Sequence, residues 1–222
     1  TSLSDNRVVV VYRDGGNSNS GTAVVGTISG NSINFGSEYI FLSSYSTNMG
    51  VIYDSTNDRI VIGFRDEYNS SNRSSAVVGN VSGTTITFGS VVRLNSSVSQ
   101  GYYHSAVHDS STGKTVIAWK DTIGKAVVGT VNASSNSISF GSPVTYNNGT
   151  TNDVTTAFDS SSNQILIGFQ DDSDTDEPTT AIAGTVSGTT INFGTKLKLD
   201  TVDGAQTAIA FDSNSNRADH SE

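Results

Sequence analysis

The chain has 222 residues, of which 34% are hydrophobic and 15% are charged, a size that suits one substantial domain. Its net charge of −9 disfavours binding to nucleic-acid backbones or to anionic membrane surfaces. The absence of cysteine excludes a disulfide framework and thiolate chemistry. The sequence also has no apolar run long enough for a transmembrane helix.

The strongest pattern is a short apolar segment that ends in aspartate and recurs four times. The copies are Val8–Asp14, Ile60–Asp66, Thr115–Asp121 and Ile165–Asp171. Their closing aspartates lie 66−14=52, 121−66=55 and 171−121=50 residues apart. Segments rich in β-branched residues with a period near fifty are typical of propeller blades or of a related repeat array.

Three further strand types recur around this segment. One is a second apolar strand, another contains a Phe-Gly pair, and the last ends in aspartate. The second strand occurs at Ala23–Gly26, Ala76–Gly79, Ala126–Gly129 and Ala181–Gly184, and the Phe-Gly pair begins at Phe35, Phe88, Phe140 and Phe193. We expect the Phe to pack between neighbouring blades and the Gly to mark a bulge. We expect the closing aspartate, at Asp54, Asp109, Asp159 and Asp212, to accept backbone N–H groups of the next turn.

Short hairpins join strands within a blade, so the longer connections mark the crossings between blades. This places blade 2 at 50–94, blade 3 at 104–146 and blade 4 at 154–199. Blade 1 holds three strands at 8–41 and lacks its first, which the segment 206–212 would supply by pairing with Val8–Arg13. The sequence therefore predicts an all-β fold of one domain over 1–222, a four-bladed β-propeller with four antiparallel strands per blade. Closure by the C-terminal strand protects the strand edges.

These repeats resemble propeller repeats of phage tail-associated and secreted bacterial proteins. In architecture they are similar to small lectin propellers such as the tachylectins and to four-bladed hemopexin-like domains, without the cysteines that staple the latter. The resemblance covers residues 4–217 and implies the fold rather than one function, because propellers support binding, catalysis and scaffolding. A composition rich in Ser, Thr and Asn indicates an extracellular or virion-surface location.

Charged pairs close three of the apolar segments, at Arg13-Asp14, Arg65-Asp66 and Lys120-Asp121, whereas Gln170 precedes the fourth aspartate. Charged hydrogen-bonding groups beside an aromatic ring suit a hydroxyl-rich ligand, so each pair is a candidate sugar site. The alternative is a repeated structural turn in which each aspartate accepts backbone N–H groups.

The third blade differs from the others in its aromatic residues and histidines. Candidate ligand-binding residues there are Tyr102, Tyr103, His104, His108 and Trp119. On a strand, His104 and His108 would share one face at about 13 Å, which is too far for one metal ion. The group is either a single ligand pocket or ordinary core and rim packing.

An acidic loop follows the fourth apolar segment, where Asp172, Asp174 and Asp176 alternate with other residues. Converging carboxylates would suit Ca²⁺, the one cofactor that the sequence suggests. The alternative is a solvated acidic loop without a ligand.

The leading functional hypothesis is a non-enzymatic binding or structural propeller that recognises glycans or a cell or virion surface, with affinity raised by repeated sites. The alternative is a hydrolase acting on a polysaccharide or ester, with its site at the propeller mouth or in the third-blade cluster. The sequence contains no recognisable nucleophile, zinc or phosphate-binding motif. Whether the protein is a monomer or a homo-oligomer is left open.

Overall fold

A computed structural model describes residues 1–67, 72–94, 101–204, 207–213 and 217–221. Regular secondary structure in these residues consists of β-strands, which confirms the all-β prediction. Within the same ranges, no helix has the length and apolar character needed to cross a membrane.

The strands form four successive antiparallel units. Unit 1 contains β1 (Arg7–Asp14), β2 (Ser20–Ser29) and the first part of β3 (Ser32–Asp54). Unit 2 contains the rest of β3, β4 (Arg59–Asp66), β5 (Arg73–Ser82), β6 (Thr85–Phe88) and β7 (Val92–Arg93).

Units 3 and 4 repeat the arrangement of unit 2. Unit 3 contains β8 (Tyr102–Asp109), β9 (Lys114–Lys120), β10 (Gly124–Asn132), β11 (Ser137–Phe140) and β12 (Val144–Asn147). Unit 4 contains β13 (Thr151–Asp159), β14 (Gln164–Asp171), β15 (Pro178–Ser187), β16 (Thr190–Phe193) and β17 (Leu197–Asp203). A final hairpin joins β18 (Ala208–Asp212) to β19 (Arg217–Ser221).

Strand β3 links the first two units without a break. Its residues up to Tyr45 pair with β2, and its residues from Ser46 onward pair with β4. The longer connection expected between the first two blades is therefore a continuous strand. The second part of β3, β8 and β13 are the first strands of units 2, 3 and 4, and we call them the inner strands. They contact one another in chain order.

In units 2, 3 and 4, the Phe-Gly pair separates the last two strands, which pair with the same neighbouring strand. In unit 2, β6 and β7 both pair with β5, and Gly89 between them donates its N–H to the carbonyl of Val78 at 2.9 Å. The partner pairs Gly79↔Phe88 and Ala76↔Val92 leave one extra residue on the outer side, which confirms the predicted bulge. A Cβ on Gly79 would lie 2.9 Å from the Phe88 ring, so glycine is needed there for the ring to lie across the strand.

Three hydrophobic layers separate the four units. Val9 and Ile62 belong to the layer between units 1 and 2, and Val61 and Trp119 belong to the layer between units 2 and 3. Ile165 and Phe169 belong to the layer between units 3 and 4. Successive residues of one strand therefore face different layers, because side chains in a β-strand point alternately to the two faces of the sheet. The recurring phenylalanines, Phe88, Phe140 and Phe193, pack against these layers as predicted.

The turns after the inner strands carry the predicted aspartate caps. Asp54 Oδ1 accepts the backbone N–H groups of Thr56 and Asn57 at 3.1 and 3.0 Å. Asp109 and Asp159 accept the equivalent groups in units 3 and 4. These side chains satisfy turn N–H groups that would otherwise lack protein partners.

The predicted closure of a four-bladed ring is not confirmed. β18 pairs with β19 rather than with β1, and it contacts β13 and β14 of unit 4. The edge of β1 is instead bridged by the N-terminal residues, where Ser2 pairs with Val8. The β18–β19 hairpin forms a local pairing, which requires less chain ordering than pairing between the two ends. Residue 206 of the predicted first blade lies outside the described residues.

Candidate functional site

Each inner strand is distorted at the same end. The pairing register shifts between Thr47 and Gly50 in β3, between Tyr102 and Ser105 in β8, and between Asn152 and Thr155 in β13. One residue in each distortion has a positive φ: 52° at Asn48, 53° at Tyr103 and 47° at Asp153. Such a conformation is unfavourable for a bulky side chain such as tyrosine, and backbone strain of this kind clusters at functional sites. We call this end of the inner strands the bulge rim.

Hydrogen bonds join successive bulges. The backbone N–H of Tyr103 donates to Asn48 Oδ1 at 3.3 Å, and His104 Nδ1 lies 3.0 Å from the carbonyl oxygen of Asn48. Thr207 Oγ1 donates to the carbonyl of Asp153. A cavity of about 340 Å³ is lined by Asn48, Met49, Tyr103, His104, Asp153, Val154 and Thr207. The bulge rim therefore holds polar groups from three successive units around one depression.

A larger groove lies beside this depression and shares Tyr103 with it. It has a volume of about 530 Å³ and is lined by Tyr102, Tyr103, Lys120, Asp121, Thr122 and Thr150, the residues that define the tyrosine groove. The rings of Tyr102 and Tyr103 have centroids 6.3 Å apart and planes inclined by 44°. Tyr103 is 37% exposed, so part of its ring is open to a ligand.

Polar groups around the groove are linked to one another. Lys120 Nζ donates to Asn152 Oδ1, and Asn152 Nδ2 donates to Asp172 Oδ2. Burial, followed by the negative charges of Asp153 and Asp172, raises the pKa of Tyr103, so its hydroxyl stays protonated. Burial raises the pKa of Asp121, although a backbone hydrogen bond and the charge of Lys125 act in the opposite direction.

The arginine pairs of the first two units do not reproduce this groove. Arg65 is 7% exposed, and its Cζ lies 4.0 Å from the centroid of the Tyr102 ring. Its Nε lies 3.4 Å from Glu67 Oε1. Arg13 is exposed, and its Cζ lies 5.0 Å from the Tyr45 ring centroid. Both arginines stack on a tyrosine near the start of the next inner strand, which is a cation–π arrangement within the protein.

The aspartates that follow these arginines hold the chain in place. Asp14 Oδ1 accepts the N–H of Gly16 at 2.9 Å, and Asp66 Oδ1 accepts the hydroxyl of Ser44 at 3.1 Å. The Asp14 contact has the backbone N–H donor of the structural alternative, whereas the donor to Asp66 is a side-chain hydroxyl. In the fourth unit, the Gln170 amide donates to Asp203 Oδ1 at 2.9 Å. The candidate residues therefore have different surroundings in each unit.

His104 and Trp119 are buried rather than exposed in the groove. Trp119 has 0% exposure, and the His104 ring stacks on it at 6.5 Å between centroids with planes 9° apart. Burial, with a smaller contribution from the positive charge of Arg65, lowers the pKa of His104 to about 3, against the opposing hydrogen bond to Asn48. Its Nε2 is buried and has no hydrogen-bond partner among the described residues. Trp119 therefore has no surface with which to contact a ligand.

His108 lies at the opposite end of β8 from the bulge. Its Nε2 is 3.1 Å from Thr56 Oγ1, and its Nδ1 is 3.5 Å from Asp54 Oδ1. The third-blade residues therefore separate into two groups. Tyr102 and Tyr103 line the groove, whereas His104, His108 and Trp119 make contacts inside the protein.

The three carboxylates of the acidic loop, Asp172, Asp174 and Asp176, have different surroundings. No group of three or more His, Cys, Asp or Glu side chains able to hold a metal ion occurs in the described part of the chain. Asp172 accepts from Asn152, and Asp174 Oδ2 lies 2.6 Å from Lys198 Nζ, while Asp176 is exposed. Two of the three carboxylates therefore contact protein partners, and Ca²⁺ binding by this loop stays a prediction.

Two groove residues were missed in the sequence, as was the asparagine that is hydrogen-bonded to Lys120. Thr122, Thr150 and Asn152 are common residue types in this chain and belong to no motif. Asn48 and Asp153 share the register position of Tyr103 when the inner strands are aligned on Asp54, Asp109 and Asp159. That alignment was the available signal, but a positive φ at a non-glycine residue is not readable from composition.

No protein-family model matches the chain, and no curated protein has significant similarity to it. Among solved structures, it is similar to an exo-β-1,3-galactanase from Phanerochaete chrysosporium, crystallised with β-1,3-galactotriose, at 11% identity and a TM-score of 0.54. The match covers 89% of this chain and 48% of the galactanase, so the chain spans about half its length. Similarity at this identity shows the fold alone, a propeller-like all-β arrangement.

A second solved structure is the major allergen Mala s 1 from Malassezia sympodialis. It has 12% identity and a TM-score of 0.44, and the match covers 98% of this chain and 90% of the allergen. At this TM-score the likeness is too low to support a conclusion about fold or function.

Proposed function

We propose that the protein is a non-enzymatic binding module that recognises neutral glycans in the tyrosine groove. The observation that supports the proposal is the convergence of Tyr102 and Tyr103 with Lys120, Asp121 and threonine hydroxyl groups in a groove of about 530 Å³. An open groove with aromatic faces and a few placed polar groups is typical of sites for small ligands.

The chemistry of the groove favours a sugar over other ligands. A pyranose ring presents C–H groups that stack on an aromatic face, and its hydroxyls both donate and accept hydrogen bonds. Lys120 and the protonated Tyr103 hydroxyl provide donors, and the Asp121 carboxylate provides acceptors. Asp153 and Asp172 lie near enough to raise the pKa of Tyr103, and their charge disfavours an anionic ligand.

The proposal places one groove in unit 3, at its connection to unit 4, instead of the expected set of equal sites with one in each blade. Recognition of a cell or virion surface and an extracellular location remain part of the proposal. The binding proposal does not depend on closure of a four-bladed ring, because the groove residues come from unit 3 and from its connection to unit 4.

A glycan array followed by titration calorimetry tests the proposal. We expect array binding without turnover, and we expect Tyr103→Ala to weaken the selected glycan by about tenfold or more through loss of the stacking face. Tyr45→Ala is the matched control, because Tyr45 is 38% exposed, close to the 37% of Tyr103, and lies outside the groove. Equal losses in the two variants, or no glycan binding at all, would contradict the groove assignment.

Hydrolysis of a polysaccharide or ester is the second candidate function. It draws on one observation: burial raises the pKa of Asp121 within an open groove, as is usual for a general acid. The same glycans should then be cleaved, and Asp121→Asn should abolish turnover while leaving binding in place. Binding without cleavage by the wild-type protein favours the non-enzymatic proposal.

A further inference from the structure

Unit 1 exposes an apolar face to solvent. The exposed fractions are 42% for Val10, 38% for Ile28, 49% for Ile33 and 56% for Phe35. We call these four residues the leading face. Contiguous exposed apolar groups of this kind on one sheet mark interaction surfaces more often than isolated exposed residues do.

Two of these positions, those of Val10 and Ile33, are buried in every other unit. The residues equivalent to Val10 are 0% exposed, namely Ile62, Ile117 and Ile167. The residues equivalent to Ile33 are 3%, 5% and 1% exposed, namely Ile86, Ile138 and Ile191. Each of them packs against the unit that precedes its own in the chain. The leading face is therefore the surface that packs against a preceding unit elsewhere in this protein.

Unit 4 exposes the complementary surface. Leu197 is 65% exposed and Leu199 is 36% exposed, and we call these two residues the trailing face. The residues equivalent to Leu199 are nearly covered by the following unit, with 2% exposure for Leu94 and 4% for Tyr146. A trailing face thus forms one side of the layers that hold the units together.

The final hairpin leaves the trailing face open. It contacts the first two strands of unit 4, β13 and β14. Its second strand carries Ala218, Asp219 and His220, where β4 carries Ile60, Val61 and Ile62. Among the described strands, unit 1 has no inner strand of its own. β18 is the strand that corresponds in sequence to an inner strand, and it does not pair with unit 1. The two ends of the chain therefore provide complementary parts of one further unit-to-unit layer.

We propose that the leading face of one molecule packs on the trailing face of a second copy of this chain. The contact continues an interface that the protein already forms three times between its own units. It is heterologous, because two different surfaces meet, so the copies associate head to tail. Each copy would then carry one tyrosine groove in a repeated array.

Sedimentation velocity over a concentration series tests this contact. The wild-type chain should form dimers and larger assemblies as its concentration rises. Val10→Lys on the leading face and Leu197→Lys on the trailing face should each weaken association by about tenfold or more, since they place a charge at the centre of an apolar contact. Both residues are exposed, so the variants should keep the wild-type far-ultraviolet spectrum and melting temperature.

Mixing the two variants separates this mode from other kinds of association. The V10K molecule retains its trailing face and the L197K molecule retains its leading face, so the mixture should form one heterodimer and stop there. Val91→Lys is the matched control, because Val91 is 38% exposed in unit 2, away from both faces.

A wild-type chain that stays monomeric at the highest concentration would overturn the proposal. Equal weakening by V91K, or a mixture that remains monomeric while the wild type assembles, would also overturn it. These outcomes are independent of glycan binding, which calorimetry with the monomeric V10K variant measures separately.

Discussion

The two ends of the inner strands repeat different features: the side chain is repeated at one end and the backbone conformation at the other. At the turn end, Asp54, Asp109 and Asp159 repeat the same side chain and the same contacts with turn N–H groups. At the bulge rim the backbone repeats, with a positive φ in each unit, but the side chains are Asn48, Tyr103 and Asp153. A repeated side chain with repeated contacts indicates a structural role. A repeated backbone that presents different side chains provides a scaffold on which a ligand site can form.

The difference explains why the strongest sequence repeats did not locate the candidate site. Identical aspartates were readily found, and they stabilise turns. The groove instead depends on Tyr102 and Tyr103, which break the pattern of the other units. Departures from the repeat therefore located the proposed binding groove, and the repeat itself did not.

The largest expected effect is at the turn end. Asp109 is 1% exposed and accepts four hydrogen bonds, from the backbone N–H and the hydroxyl groups of Ser111 and Thr112. Asp109→Ala should lower the free energy of unfolding by about 2–3 kcal/mol, because the donors lose a charged acceptor. Urea denaturation measures this change. Glycan binding by the remaining folded protein should stay the same.

Asp176→Ala is the matched control for Asp109→Ala, because Asp176 is exposed in the acidic loop. It should change the unfolding free energy by less than about 0.5 kcal/mol. Equal effects of the two substitutions would remove the distinction between structural and surface aspartates.

The next effect concerns pH and the bulge rim. The pKa of His104 is about 3 in the folded protein, below the ordinary value of 6.5 expected after unfolding. The unfolded state therefore binds more protons between these values, so stability is complete above pH 6.5 and falls as the pH decreases toward 3. Between pH 7 and pH 5 the loss should be roughly 2 kcal/mol. Urea denaturation at a series of pH values measures it.

His104→Met tests whether His104 causes this pH dependence. Methionine is chosen because Met49 occupies the equivalent position in unit 2. The variant should lose most of the pH dependence between pH 7 and pH 5. The pKa values of Asp159 and Asp171 are lowered, so those carboxylates affect stability at more acidic pH. An unchanged slope in H104M would show that His104 is not the group responsible.

The smallest effect compares the two stacked arginines. Arg65 is 7% exposed against the Tyr102 ring, whereas Arg13 is exposed beside Tyr45. Arg65→Gln should destabilise the protein by about 1–2 kcal/mol, because a buried cation–π contact is lost. Arg13→Gln should have an effect below about 0.5 kcal/mol. Thermal unfolding at matched pH measures both, and equal shifts would contradict the difference in burial.

Much of the fold was predictable from the sequence, and much less of the site was. The strands and turn caps follow from local patterns: short runs of β-branched residues form strands such as Ile60–Asp66, and each inner strand ends in an aspartate that precedes a short turn. The tyrosines and the Lys120-Asp121 pair were recognised as candidates, but their meeting in one groove was not predictable. That meeting depends on the bulge at Tyr103 and on the packing of unit 4 against unit 3.

The sequence by itself determined the all-β class, the period of the repeat and the aspartate-capped turns, because these depend on side-chain alternation and on hydrogen bonds between near neighbours. Tertiary structure decided which strands pair with β18 and with the edge of β1. β18 pairs with β19 and the N-terminal residues bridge β1, so β18 and β1 do not pair with each other. It also decided that Trp119 is buried while Tyr103 is open, because burial depends on the unit that lies opposite and not on the residue type.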